Sequence, residues 1–264
     1  MNIKFLALVI VGVTLSSCNI KTDNGVFNLI PKEGKGPITD KKVTANFDEI
    51  KVAQGIRAEV IKSDVESVVV SAPADVIDDV LIEVVGGQLY LHFKPGINLN
   101  TSRINAKIYA KDFSKIEASS SADVVVKDKF TQDKTSIKVS SSGSLSGSLE
   151  ANDFSVDVSS SGSVNSEIWA VNLNVEASSS GSVTLKGKSK NSTMDVSSSA
   201  GIYADNLVVE NAVLKASSSA DINVGVSREL NASASSSGSI KVKKLGNINI
   251  SQQKESRSGS ITIR

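Results

Sequence analysis

The 264-residue chain is poor in several residue types, and each shortage excludes a class of protein. Aromatic residues make up 4% of it, and Lys plus Arg (29) nearly balances Asp plus Glu (28). A balanced charge leaves no basic surface for neutralising nucleic acid. One histidine and one cysteine cannot form a His/Cys metal site or a Cys-His catalytic pair. The sequence therefore predicts no cofactor, no metal, no nucleic-acid partner and no catalytic residues.

The single cysteine, Cys18, closes a signal-peptide pattern. Lys4 precedes an apolar run at 5–13, which is too short for a permanent membrane span, and Leu-Ser-Ser-Cys follows at 15–18. These four residues resemble the lipobox of bacterial lipoproteins, and the resemblance implies cleavage before Cys18 with lipid attached there. We expect a signal peptide at 1–17 and, from composition, a flexible Gly-, Pro- and charge-rich linker at 18–45.

From 114 to 264 the chain repeats a Ser-Ser-Ser-Gly/Ala motif about every 18 to 21 residues. Apolar and polar residues alternate around each copy, as in 156–164. Such repetition is typical of a solenoid, in which each coil needs its neighbours to bury an apolar face. We predict an all-β, single-stranded parallel β-helix of about eight coils, roughly 35 to 40 Å long. A right-handed helix is favoured because the strict hexapeptide rhythm of left-handed ones is missing.

Both ends of this solenoid have their own sequence patterns. Residues 46–113 are rich in β-branched residues, and Gly86-Gly87 predicts a hairpin within them. We expect these strands to continue or cap the coils of 114–264. The degraded last copy has Gln253, Glu255 and Arg257 where other copies have apolar residues or Ser, which predicts a polar C-terminal cap.

Strand alternation, extended through the motif, divides its residues between two faces. The middle Ser and the Gly/Ala turn inward at a narrow corner, so Gly162→Val and Gly181→Val should damage folding. The first and third Ser form two outward hydroxyl columns. Either they only tolerate a tight bend and bond neighbouring backbone, or they form an interaction surface. That surface would comprise Ser119, Ser121, Ser140, Ser142, Ser159, Ser161, Ser178, Ser180, Ser197, Ser199, Ser217 and Ser219.

A further outward column stacks three carboxylates on consecutive coils, Asp157, Glu176 and Asp195. Adjacent rungs would hold them near the roughly 5 Å separation used by retaining glycosidases, or they could bind Ca²⁺. The sequence favours a third interpretation, a solvated column closed by Lys138 and Lys215, because no aromatic wall accompanies it. The isolated Trp169 and Tyr203 are predicted to pack on loops rather than to serve as sugar platforms.

Taken together, the lipobox, the entry strand at 47–52 and the Ser-Ser-Ser-Gly/Ala coils resemble the head GIN domain family of auto-transporter adhesins, over about 46–264. The resemblance implies a β-helical fold and a role in adhesion or at the envelope. It supplies no catalytic residues. We expect a non-enzymatic outer-membrane lipoprotein, periplasmic or surface-exposed, held by lipid and binding a glycan or protein at the cell surface. The alternatives are a polysaccharide-active enzyme using the carboxylate column and a purely structural spacer.

Overall fold

The structure is a computed structural model that describes residues 31–264. The signal peptide, Cys18 and the first part of the linker lie outside the described residues. Two short 3-10 turns, Ile77–Asp79 and Thr101–Arg103, interrupt an otherwise all-β chain.

The 18 strands form one sheet. They are β1 (Ile38–Thr44), β2 (Glu49–Val52), β3 (Arg57–Lys62), β4 (Ser67–Pro73), β5 (Val80–Val85), β6 (Gln88–Phe93), β7 (Asn105–Ala110), β8 (Lys115–Ala118), β9 (Asp123–Val126), β10 (Phe130–Val139), β11 (Ser144–Val158), β12 (Ser163–Ala177), β13 (Ser182–Val196), β14 (Gly201–Ala216), β15 (Asp221–Ser235), β16 (Ser239–Lys244), β17 (Asn249–Ser256) and β18 (Ser260–Ile263).

In the middle of the solenoid each coil is a single bent strand. Strands β11, β12 and β13 each have 15 residues and pair in parallel, with register partners 19 residues apart. Two consecutive exposed residues, Asn152 and Asp153, switch the inward parity of β11 and mark a corner. The Ser motif forms the opposite corner. A parallel β-solenoid of about eight turns follows, which confirms the predicted fold class.

The N-terminal strands both continue and cap this solenoid. Strands β2 and β3 form a coil that lies between the β6–β7 pair and the β8–β9 pair. Beyond it β4, β1 and β5 run antiparallel to their neighbours and cover the end. Gly86 and Gly87, both at positive φ, close the β5–β6 hairpin, as predicted. The order of coils along the axis therefore differs from their order along the chain.

The prediction of a flexible linker up to residue 45 is wrong for its later part, because β1 occupies Ile38–Thr44 and pairs with β4 over its whole length. The preceding turn is held from two sides. Asp75 accepts hydrogen bonds from the backbone N–H groups of Lys35 and Gly36, and these bonds hold the pKa of its carboxyl below the ordinary value. Arg103 donates to the carbonyl oxygens of Gly34 and Gly36 at 2.9 and 3.1 Å. Composition alone did not reveal these contacts between residues distant in sequence.

At the C-terminal end, the core gives way to polar side chains. Strand β17 pairs with β15 so that Gln253 and Glu255 lie where Ala232 and Ala234 lie one coil earlier. All eight residues of β17 are exposed. Glu255 ties the last two strands together by accepting a hydrogen bond from the N–H of Ile261 at 2.8 Å. This arrangement matches the expected polar end.

Candidate functional site

Each Ser motif is a tight turn that reverses the chain. In the turn Ser159–Gly162, Ser160 and Ser161 have φ of +50° and +60°, and the Gly162 N–H donates to the Ser159 carbonyl at 2.9 Å. Positive φ at both central residues is the type I′ geometry. The middle Ser is consequently exposed, so the prediction that it points inward is wrong. Alternation fails there because two left-handed residues interrupt the extended backbone that alternation requires.

The turns stack into a continuous ladder. In each one the third residue's N–H donates to the carbonyl of the middle residue in the next coil, as from Ser161 to Ser179 at 3.1 Å. The ladder begins with Gly55 and Ser120 and ends with Ser237 and Arg257, so nine turns are joined. At a strand spacing of about 4.8 Å it extends over roughly 40 Å. We call its complete serine triplets the Ser ridge: Ser119–Ser121, Ser140–Ser142, Ser159–Ser161, Ser178–Ser180, Ser197–Ser199, Ser217–Ser219 and Ser235–Ser237.

The hydroxyl groups of the Ser ridge have no hydrogen-bond partner among residues 31–264. The first Ser of each triplet is half-buried and the third is exposed. The serine side chains that hydrogen-bond within the described chain lie elsewhere, for example Ser71, Ser144 and Ser189. The hypothesis that ridge hydroxyls bond the backbone of the bend is therefore wrong for the described residues. Each hydroxyl keeps its donor and acceptor capacity for water or a partner.

Serine is a costly residue for these backbone positions. Left-handed φ costs an ordinary L-residue about 1 to 2 kcal/mol, whereas glycine or asparagine adopts it more easily. Type I′ turns accordingly prefer Asn-Gly. The chain has that conformation at Gln54-Gly55 but uses Ser-Ser in seven successive turns. Strain that recurs at one surface motivates a functional hypothesis about that surface.

The fourth motif position turns inward as expected and is tightly enclosed. A Cβ added to Gly162 would lie 2.8 Å from the carbonyl oxygen of Val139 in the preceding coil. Ala takes the equivalent position in the turns that end at Ala122, Ala200 and Ala220, and each is buried. A methyl group is thus accommodated in some coils, and in the Gln54-Gly55 turn at the N-terminal end Ile56 is buried at the same position. At Gly162, by contrast, the carbonyl of the preceding coil leaves no space for a branched side chain.

The carboxylate column stacks as the sequence predicts, with Asp157 opposite Glu176 and Glu176 opposite Asp195. All three side chains are exposed, and Lys138 lies 3.8 Å from Asp157 in a surface ion pair. Asn174 donates to Glu176 at 3.1 Å. In the part of the chain that the structure describes, no group of three or more His, Cys, Asp or Glu is arranged to hold a metal ion.

The corner opposite the Ser ridge carries a hydrogen-bonded ladder of side chains that the sequence analysis missed. Asn172 donates to Asp153 at 2.8 Å, Asn191 to Asn172 at 3.0 Å, and Asn211 to Asn191 at 2.8 Å. Arg228 donates to Asn211 and ends the series, which we call the amide ladder. Its signal was present in the sequence: an Asp and three Asn recur at the repeat interval, outside the Ser motif.

The two aromatic residues expected on loops lie on strands instead, Trp169 on β12 and Tyr203 on β14. Tyr203 covers Gly201, where a Cβ would lie 2.6 Å from the Tyr203 hydroxyl oxygen. Trp169 is 44% exposed and lines a cleft of about 550 Å³ beside the amide ladder. The packing interpretation therefore fits Tyr203 but not Trp169.

A protein-family model matches residues 46–167 and again 148–245. Its description is "Putative auto-transporter adhesin, head GIN domain". The chain belongs to this family. The predicted resemblance is thereby confirmed, and membership of the head GIN domain family indicates a protein of the cell envelope or surface. No helix among residues 31–264 is both long and apolar enough to cross a membrane.

Solved structures show that this fold is shared. A "putative adhesin" from Parabacteroides merdae superposes with a TM-score of 0.80 at 19% identity, over 88% of this chain and 98% of that one. A "Putative lipid binding protein" from Parabacteroides distasonis gives 0.74 at 20% identity, over 89% and 100%. A "putative adhesin" from the same organism gives 0.73 at 25% identity, over 88% and 99%. None of the curated proteins matches the chain.

Proposed function

We propose that the chain is a lipid-anchored, non-enzymatic adhesin of the bacterial cell surface that binds its partner through the Ser ridge. The observation that carries this proposal is the stack of strained Ser-Ser turns whose hydroxyl groups have no partner within the described part of the chain. Membership of an adhesin family supports the general role. Lipid at Cys18 would hold the protein to the outer membrane.

A regular hydroxyl array suits a repetitive partner. Because the turns repeat at the strand spacing, donors and acceptors recur roughly every 4.8 Å along the axis. A glycan or an extended protein segment could bind several coils at once, so that weak contacts add up through multivalency. The rigid, hydrogen-bonded backbone of the turns holds this array in place before binding, which reduces the entropy lost on association.

The test is adhesion of intact cells to mucin-coated surfaces, with glycine replacing the middle and third serines of the four central turns. Glycine adopts left-handed φ readily, so the substitutions remove hydroxyls without opposing the turn. Adhesion should fall at least tenfold. The matched surface control is Asp157→Asn, Glu176→Gln and Asp195→Asn together, which should adhere like the parent.

Two results would refute the proposal. The first is undiminished adhesion by the glycine variant when antibody labelling shows equal display on the cells. The second is protection of the chain from protease in intact cells together with cleavage in lysed cells, because a protein that faces the periplasm cannot act as an adhesin. Undiminished adhesion of cells that lack the chain altogether would favour the structural spacer.

A further inference from the structure

Three clefts run side by side along the corner that carries the amide ladder. The cleft beneath Trp169 measures about 550 Å³, and the next two measure about 310 and 280 Å³. Lys134 lines the first and second, and Asn191 lines the second and third. The shared residues show that the clefts adjoin one another along this corner, and together we call them the amide groove. An elongated ligand could therefore lie along the solenoid axis.

The amide ladder gives this groove a regular set of polar atoms. In the ladder, Asn172 and Asn191 each use one N–H to donate and the carbonyl oxygen to accept one hydrogen bond. A side-chain amide has two N–H donors and two acceptor lone pairs. Each of these Asn residues thus keeps one donor and one acceptor. A hydroxyl group, which both donates and accepts, is the natural complement to that pair.

Trp169 supplies an aromatic face in the first cleft of the groove, on the same strand as Asn172. Its neighbour on the adjacent strand, Glu150, accepts hydrogen bonds from Lys129 and, at 3.0 Å, from Thr131, and these bonds hold the pKa of the Glu150 carboxyl below its ordinary value. Asn152, which also lines this cleft, donates to Asp133 at 3.2 Å. An exposed indole beside planar polar groups matches a sugar ring, which presents a face of C–H groups and a rim of hydroxyls.

The charge of the amide groove limits the ligand further. One ammonium group, Lys134, lines the groove, and the Arg228 guanidinium lies at the end of the amide ladder. The lining carboxylates outnumber these two cations; they belong to Asp48, Asp112, Asp133, Asp153 and Glu229. A sulfated or uronate polymer would meet net repulsion in this groove. Neutral glycans carry no such penalty, so the electrostatics select them.

We propose that the amide groove binds a neutral polysaccharide chain, with Trp169 stacking on one sugar ring and the amide ladder hydrogen-bonding hydroxyls of neighbouring rings. This site lies at the corner opposite the Ser ridge and does not depend on it. It names a ligand class and a location that the ridge proposal leaves open.

Because Trp169 is the single tryptophan of the chain, its fluorescence reports on this site alone. The full chain, purified in a sugar-free detergent, is titrated with dextran, pullulan and galactomannan as neutral probes and with polygalacturonate as the anionic probe. We expect a saturable change in emission with at least one neutral polymer. Polygalacturonate should need at least tenfold higher concentration for the same change.

Native gels that contain the bound polymer test the residues without relying on fluorescence. Trp169→Ala should lose retardation, and Trp169→Phe should keep most of it. Tyr203→Ala, which removes the other exposed aromatic side chain of residues 31–264, should migrate like the parent. Asn172→Ala with Asn191→Ala should reduce retardation at least fivefold while circular dichroism stays unchanged.

Equal retardation of Trp169→Ala and the parent would overturn the proposal, and so would preference for polygalacturonate or no response to any neutral polymer. The Ser ridge glycine variant, run beside these, should bind the polymer like the parent. Loss of mucin adhesion in that variant with intact polymer binding would separate the two surfaces.

Discussion

Replacing serine by glycine in the Ser ridge should stabilise the protein, although glycine usually destabilises strands and turns. At Ser160 and Ser161 the backbone has φ of +50° and +60°. Relief of left-handed strain stabilises the folded state by about 1 to 2 kcal/mol. The greater conformational freedom of glycine in the unfolded chain offsets about 0.5 to 1 kcal/mol of that gain. Each substitution should therefore raise the free energy of unfolding by about 0.5 to 1 kcal/mol.

Two companion variants isolate the cause. Ser163→Gly lies just after the same turn, in the extended backbone of β12, and should lower the free energy of unfolding by about 0.5 to 1 kcal/mol. Ser161→Ala removes the hydroxyl but keeps the strain. Because that hydroxyl has no protein partner, the change should be within about 0.5 kcal/mol.

The measurement is urea unfolding followed by the emission of Trp169, which lies in the coil entered after this turn. The urea concentration at the unfolding midpoint should be higher for Ser160→Gly than for the parent and lower for Ser163→Gly. The dependence of the free energy of unfolding on urea concentration should be similar in all three proteins. Destabilisation by Ser160→Gly or Ser161→Gly would refute the reasoning, since it would mean that the serine side chain stabilises the turn. A large loss in Ser161→Ala would also contradict it, because the hydroxyl would then have a structural role.

Further predictions concern three other places. Gly162→Ala should cost about 1 kcal/mol and Gly162→Val about 3 kcal/mol or more in urea unfolding, because the added atoms meet the Val139 carbonyl; equal costs would contradict the narrow corner. The pKa of Asp75 is lowered by the backbone N–H donors of Gly36 and Lys35, so the stability that its carboxylate contributes is present at neutral pH and is lost as the pH falls through the lowered pKa. In NMR spectra, the chemical shift of the Gly36 amide proton should titrate with a midpoint below 3.8. In Asp75→Asn this titration should disappear. Replacing the carboxylate column by Asn and Gln should leave any glycan-degrading activity of the preparation unchanged, and a loss of activity would revive the enzyme hypothesis.

Much of this architecture followed from repetition alone. The interval of the Ser motif specified coils, and alternation in stretches such as 156–158 specified which side chains face inward. The Gly86-Gly87 hairpin and the polar last coil followed from local residue chemistry. Prediction failed at Ser160, because alternation assumes extended backbone. It also failed at 38–44, because the partner of that strand lies about thirty residues away.

The Ser motif, the carboxylate column and the amide ladder share one origin in the repeat, yet they differ in what the sequence determined. A column of equivalent residues is fixed by the repeat interval, because parallel strands place residues one coil apart side by side. Whether a column is satisfied, strained or free to bind is decided by the backbone conformation and the neighbouring chains. The sequence by itself determined a β-solenoid with stacked columns. Only the tertiary structure decided that the serine hydroxyls have no partner among residues 31–264 and that Trp169 lines a groove. It also decided that the coil of β2 and β3 lies between later coils. Each of these features depends on contacts between residues distant along the chain.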